Sequence, residues 1–323
     1  ERVLIVIINS HVHCNPQSVC FFYNHYKLRN LIAEMDSCGI DISLPSLNPK
    51  LDIFRCPNDC SYVCPFSDEV NNNMQNCINC PSPKKHRTMI VDYHTHIALV
   101  CKTCNLVIYK TAQDPVRRYN IELIKSSRKF RDRIKPFVFL TVGSTAQNEI
   151  DFFEENFKGE FIGYKLHPWT NQASVENLHL NTKLPFLIHT GMRDLESSKN
   201  AIAFAKNHPN NSVVLAHAVQ LNNEFLTTVS QMDNTYIDCC PSPFLYRNKS
   251  GSLLPNVADF INSPSEIYEF ALHYLSSEKI LFGTDSPWGS SIDELNVISN
   301  LNITQEQKNN ILFKNAQNVY NIK

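Results

Sequence analysis

Apolar and polar positions along this chain alternate between two periods. Residues 3–8 form an unbroken apolar run, as expected of a strand buried on both faces. His11 and His13 follow it. Residues i and i+2 of a strand point to one face, so both imidazoles are expected to leave the strand end in one direction. Over residues 27–39 the apolar side chains Leu28, Leu31, Ile32 and Met35 fall at helical spacing, and Gly39 stops the helix. Residues 40–47 read as a second strand. The chain thus opens strand, helix, strand, the start of an alternating α/β fold.

The alternation breaks over residues 56–110, which are polar, cysteine-rich and not helical. Inside the break, Cys77 and Cys80, then Cys101 and Cys104, form two Cys-x-x-Cys pairs with twenty residues between them. Each pair makes a knuckle presenting two thiolates, and the interval accommodates a hairpin carrying one knuckle to the other. That spacing resembles a zinc ribbon, so a structural zinc in a small inserted module is expected. Cys56, Cys60 and Cys64 receive no assignment. The same stretch holds a second His-x-His, His94 and His96 in MIVDYHTHI, preceded by an aspartate. It lies where a ribbon needs its strands, with Tyr93, Thr95 and Ile97 alternating as in a half-exposed strand. Starting a barrel there would also discard the strand, helix and strand upstream, so His11 and His13 are preferred on topology.

After the break the pattern resumes. Helices are expected over 114–131, 147–157, 197–208, 221–231, 265–275 and 304–315, with Pro115 in the first turn of the first and Thr304 as N-cap of the last. Strands are expected over 136–142, 161–167, 185–189, 212–217, 235–239 and 279–284. With the two upstream, that makes eight. Setting aside the 55 residues of 56–110 leaves 268 of the 323, close to the ~250 of a (β/α)8 barrel. The expected architecture is therefore an α/β TIM barrel over 1–55 and 111–323, with a cysteine-rich, zinc-ribbon-like module, 56–110, inserted after strand two.

Composition narrows the function classes. A net charge of −1 gives no electrostatic case for a nucleic-acid or membrane partner, and the longest apolar runs are far too short to span a bilayer. Glu1 and Arg2 before a six-residue apolar run do not make a secretory signal. Twelve cysteines, clustered in close pairs, fit metal thiolates in a reducing compartment better than disulfides. A cytoplasmic protein is expected, with a small-molecule substrate; a homo-oligomer is compatible with the sequence.

Barrel active sites gather at the carboxyl ends of the strands. There the sequence places His11 and His13 (strand one), Lys165 and His167 (strand four), His189 (strand five), His217 (strand six) and Asp285 (strand eight). A single strand-end histidine is more often a satisfied buried side chain than a ligand. Seven ionisable groups at one end of one barrel instead read as a site. The segments HVH, GYKLHPW, LPFLIHTG, VVLAHA and KILFGTDSPWG, in this order, resemble the amidohydrolase superfamily, specifically its amidohydrolase-related branch. The resemblance spans the chain to about residue 320, apart from the cysteine-rich insert.

The resemblance implies that His11, His13, His189 and Asp285 bind a divalent metal, usually zinc, and that His217 acts near the metal-bound water or the substrate oxygen. Where the family usually has an aspartate before the first His-x-His, this chain has Asn9, which leaves ligand tuning open. Three imidazoles and a carboxylate leave a position for water whose pKa the metal lowers towards ~7, and Asp285 can accept its proton. Lys165 reads either as an ammonium balancing carboxylates or as a carbamylated bridge to a second metal. His167 is either substrate-binding or structural. Trp169 and Trp288 follow strands four and eight, and Phe244 and Tyr246 follow strand seven, making either a pocket wall or rim packing. Arg193 is placed to hold a substrate carboxylate, or else pairs with Asp194 or Glu196. The leading expectation is a metal-dependent hydrolase of a C–N or C–O bond of cyclic amide, lactone or ester type. Two alternatives stand beside it: a non-oxidative decarboxylase of the same superfamily, and a ribbon-mediated binding module on a barrel scaffold.

Overall fold

The structure is a computed structural model that describes residues 6–14, 26–47, 115–143, 145–171, 173–248, 254 and 259–323, together with the backbone of 88–92, 97–101 and 107–110. Two parallel strands open it, β1 (Ile8–His13) and β2 (Ile42–Ser46), joined by the helix Leu28–Cys38. Gly39 ends that helix in the left-handed region at φ 69°. The strands β3 (Thr88–Asp92), β4 (Ile97–Cys101) and β5 (Val107–Lys110) form a separate antiparallel sheet. Six further parallel strands then alternate with helices: β6 (Val138–Phe139), β7 (Tyr164–Leu166), β8 (Phe186–Ile188), β9 (Val213–Leu215), β10 (Thr235–Asp238) and β11 (Ile280–Leu281).

Backbone hydrogen bonds close the two parallel sheets into one ring. Ser10 N–H donates to Phe282 O at 2.9 Å, Thr284 N–H to His11 O at 2.9 Å, and His13 N–H to Ser286 O at 2.8 Å, joining β1 to the end of β11. On the other side Ser43 N–H reaches Arg133 O at 2.8 Å and Phe137 N–H reaches Pro45 O at 2.8 Å, joining β2 to the approach to β6. The result is an eight-stranded parallel barrel built from β1, β2 and β6–β11.

The period-2 alternation of each strand divides its side chains between two environments. Phe186 and Ile188 pack in the large cluster beneath the helices, whereas Leu187 belongs to an inner cluster with Ile8, Leu44, Phe137, Val214 and Leu281. Ala316, Val319 and Tyr320 of the closing helix pack on that inner cluster. This apolar layer fills one end of the barrel, each buried aliphatic contributing ~1.5–3 kcal/mol. Two residues further along the same strands the inward positions turn polar: His189 after Leu187, and Asp238 after Tyr236.

Several boundaries differ from expectation. The histidines His11 and His13 lie within β1 rather than beyond a strand of residues 3–8; positions 3–5 lie outside the described residues. Pairing with β2 and the end of β11 keeps this polar stretch extended. Of the expected strand through Tyr93, Thr95 and Ile97, β4 begins at Ile97, and residues 93–96, with His94 and His96, lie outside the described residues. Cys77, Cys80 and Cys104 also lie outside them. A further helix, Ser291–Asn300, capped by the Ser290 hydroxyl, was not anticipated. The closing helix runs on to Tyr320 through a π-turn at Asn310–Lys314, and Thr304 and Gln307 cap it reciprocally. No helix among the described residues is long and apolar enough to cross a membrane.

Candidate active site

The strand-end residues expected to meet do so at one mouth of the barrel. His13 Nε2 lies 3.1 Å and His11 Nε2 3.5 Å from Asp285 Oδ1. The donor atoms of these three residues all fall within 4.8 Å of one another. Asp285 reaches this position because its backbone is left-handed, at φ 51°, with its N–H bonded to His11 O at 2.8 Å. Gly283 makes room, since a Cβ there would meet His11 Cβ at 2.7 Å and Cys240 Sγ at 2.9 Å.

Each first-strand imidazole is held from behind. Ser46 Oγ on β2 lies 2.9 Å from His13 Nδ1, and Asp238 Oδ2 on β10 lies 2.9 Å from His11 Nδ1. Asn9, two residues before His11, donates to Thr284 Oγ1 at 2.9 Å, which ties β1 to the turn carrying Asp285. Lys165 Nζ, fully buried, lies 2.8 Å from His11 Nε2.

A second group forms around His189. Its Nδ1 lies 3.0 Å from His217 Nε2, its Nε2 lies 3.3 Å from Glu196 Oε2, and its ring stacks on His167 with centroids 3.8 Å apart. His167, His189 and Glu196 also bring ligand atoms within 4.8 Å of one another. The expected fourth ligand, His189, therefore has both ring nitrogens engaged by other side chains, and joining His11, His13 and Asp285 means exchanging one of those partners. Through His217 the two groups are continuous, since the rings of His11 and His217 are 5.4 Å apart.

His217 occupies an unusual piece of backbone. From His217 to Leu221 five successive non-glycine residues are left-handed, with φ between 46° and 62°. Such residues each cost roughly 1–2 kcal/mol and persist only where surrounding contacts determine them. Here the His217 N–H donates to Asp238 Oδ1 at 3.0 Å. Gln220 Nε2 donates to Thr190 Oγ1 at 2.7 Å, and the Ser198 hydroxyl donates to Gln220 Oε1. His217 Nδ1 lies 2.7 Å from Cys240 O. A carbonyl only accepts, so Nδ1 carries the proton and Nε2 is the basic atom.

Burial sets the charge states. Desolvation lowers the pKa of His11, His13, His167 and His217, keeping these imidazoles neutral and their lone pairs available. Burial brings Lys165 down to about 8 against the pull of Asp285 and Asp238. For Asp285 burial acts upward, but the neighbouring imidazoles outweigh it and hold the carboxyl well below the usual range.

The rim carries the expected aromatic groups. The Trp288 ring meets His13 edge-on with centroids 5.4 Å apart. The Arg193 guanidinium lies 3.9 Å over the Trp169 ring, so its partner is an aromatic face. Sequence reasoning missed Asp238, Glu196 and Cys240. Asp238 closes TYID, where strand alternation alone would have marked it as inward-facing.

The donor set fits a divalent metal. With His11 donating its Nδ1–H to Asp238 in a hydrogen bond, His11 Nε2 and Asp285 Oδ1 are two acceptors 3.5 Å apart, and a cation satisfies both.

Comparison with known proteins places this arrangement on a familiar scaffold. No family model and no curated protein sequence matches the chain. Among solved structures, the 5-carboxyvanillate decarboxylase of Sphingomonas paucimobilis is similar over 99% of this chain and 100% of its own, with 12% identity and a TM-score of 0.58. A dihydroxybenzoic acid decarboxylase from Polaromonas sp. JS666, solved with manganese and 2-nitroresorcinol, covers 98% and 97% at 12% identity and a TM-score of 0.57. The 4-oxalomesaconate hydratase of Rhodopseudomonas palustris covers 98% and 96% at 13% identity and a TM-score of 0.54. At such identities the likeness establishes the (β/α)8 fold.

Proposed function

We propose that this protein is a metal-dependent enzyme of the amidohydrolase superfamily that hydrolyses a C–N or C–O bond of a small organic substrate, of cyclic amide, lactone or ester type. The observation that supports it is the convergence of His11 Nε2, His13 Nε2 and Asp285 Oδ1, with the far nitrogens of both imidazoles already occupied. These three residues would hold the ion, usually zinc by the sequence resemblance, with His189 as the fourth ligand. A bound divalent ion supplies a Lewis acid and a water of lowered pKa. The ionised Asp285 carboxylate stands ready to take a proton at its other oxygen. His217 receives or returns a proton at Nε2, its Nδ1–H remaining on Cys240 O. Lys165 holds positive charge beside His11, and Trp288 walls the site beside His13.

Decarboxylation is the second reading. The feature favouring it is Arg193 laid flat over Trp169, a cation and an aromatic face side by side, which suits an aromatic carboxylate. One experiment separates the two. Metal content is measured on the purified protein, and lactones, cyclic amides and aryl carboxylates are then turned over in 18O-water. Hydrolysis places 18O in the product carboxyl, whereas decarboxylation releases carbon dioxide and leaves no 18O in the aromatic product. A protein that takes up no divalent metal at the barrel mouth overturns both.

A further inference from the structure

We infer that Asp238 is a positioning residue that fixes His11 in the Nδ1–H tautomer and, through its other oxygen, ties that choice to the backbone of His217. The carboxylate is fully buried on β10, and each of its oxygens faces a donor. Oδ2 lies 2.9 Å from His11 Nδ1. Oδ1 accepts the His217 N–H at 3.0 Å and faces the Cys240 thiol at 3.3 Å. On the far side of the His11 ring, the Lys165 ammonium lies 2.8 Å from Nε2. An ammonium has no acceptor, so Nε2 must carry the lone pair and Nδ1 the proton. Two independent neighbours thus impose one tautomer. Asp238 also spans the barrel mouth, linking a first-strand imidazole to the left-handed turn that aims His217.

Asparagine exposes the dependence, because it offers one acceptor and one donor where Asp238 offers two acceptors. The two neighbours of Oδ1 are both donors, and one is a backbone N–H that cannot change. The amide oxygen therefore takes the Oδ1 position and its NH2 group faces His11 Nδ1. With the Lys165 ammonium also removed, as in Lys165→Met, His11 must then accept at Nδ1 and carry its proton on Nε2, which closes the lone pair aimed at Asp285. The consequence for metal binding rests on the proposed function; the tautomer itself does not.

Long-range 1H–15N correlation spectra of the metal-free full-length protein read the protonation of each His11 nitrogen, assigned through loss of signals in His11→Gln. Wild type and Lys165→Met should both show Nδ1–H, and Asp238→Asn in the Lys165→Met background should show Nε2–H. Titration with Mn2+ alone and with Zn2+ alone should give ~10–100-fold weaker binding in Asp238→Asn, the usual cost of losing such a partner. A wild-type His11 that is protonated on Nε2 overturns the inference without any variant. So does an Asp238→Asn, Lys165→Met protein that keeps Nδ1–H. If the tautomers behave as stated but wild type takes up neither metal, the proposed function fails and the role of Asp238 stands.

Discussion

Lys165 Nζ and His11 Nε2 are 2.8 Å apart, so the ammonium faces the same lone pair that a metal at His11, His13 and Asp285 would use. Burial has already brought Lys165 down to about 8, which eases its departure or deprotonation as a divalent cation arrives. If the lysine balances charge, Lys165→Met removes a like charge from beside the metal. The variant should then bind one equivalent of Mn2+ or Zn2+ at least as tightly as wild type, by competition with a chelating dye. Loss of an equivalent, together with bicarbonate-dependent metal content in wild type, would instead establish a carbamate bridge.

His11 and His13 lie on the first strand of a barrel that has its eight strands without residues 56–110. His11→Ala should therefore abolish metal binding at the barrel mouth and turnover, while His94→Ala should leave both within about twofold of wild type. Metal analysis of the two purified variants decides it. A dead His94 variant with an active His11 variant would move the site to the other His-x-His.

The four cysteines Cys77, Cys80, Cys101 and Cys104 are proposed to hold a structural zinc. Cys101 closes β4, which pairs with β3 and β5 in the separate antiparallel sheet. Wild-type protein should carry one zinc that a chelator removes without unfolding the barrel. Cys77→Ser should lose that equivalent and become protease-sensitive within 56–110, because structural zinc contributes folding energy directly. Full retention of the second metal by the variant counts against the ribbon.

The barrel was legible because eight strand periods follow one another with helix periods between most of them, and because alternation within strands fixes which residues face inward. Thus Lys165 and His167, and then His189, could be placed at one mouth from order alone. Pairing within the site was not legible. Nothing local to His189 says that its ring stacks on His167 and contacts Glu196, since both relations depend on how neighbouring strands register. Asp238 was overlooked because TYIDCC carries no motif; its meaning comes from His11, 227 positions away. The left-handed run from His217 to Leu221 contains no glycine and so gives no sequence signal.

Glu294 supplies a test of buried charge away from the metal. Its carboxyl accepts the Ser242 N–H at 2.9 Å and the Tyr268 hydroxyl at 2.7 Å, and burial pushes its pKa from 4.5 up to about 8. The native state therefore holds a proton that the unfolded chain has released, and this contribution to stability falls as pH rises from about 4.5 to about 8. Gln does not ionise: its amide oxygen still accepts the Ser242 N–H, and its NH2 donates to the Tyr268 oxygen in place of accepting from it. The melting temperature of Glu294→Gln relative to wild type should rise across that window and level off above it. A difference that is flat with pH would place the Glu294 carboxyl near its ordinary range.

Asp285 and His217 allow metal binding and proton chemistry to be separated. Asp285 Oδ1 lies within 3.5 Å of both first-strand imidazoles, whereas His217 Nδ1 faces Cys240 O and its Nε2 faces His189. Asp285→Asn exchanges a carboxylate for a neutral amide among three imidazoles, so both metal content and turnover should collapse. His217→Asn removes a proton carrier but no assigned ligand. Turnover should fall by ~10²–10⁴, the usual contribution of a general acid or base, with metal content within twofold of wild type. Metal analysis and rate on the same preparations provide the check. Should His217→Asn lose its metal, His217 is a ligand, and a two-metal site drawing on His189 and a modified Lys165 becomes the better description of the barrel mouth.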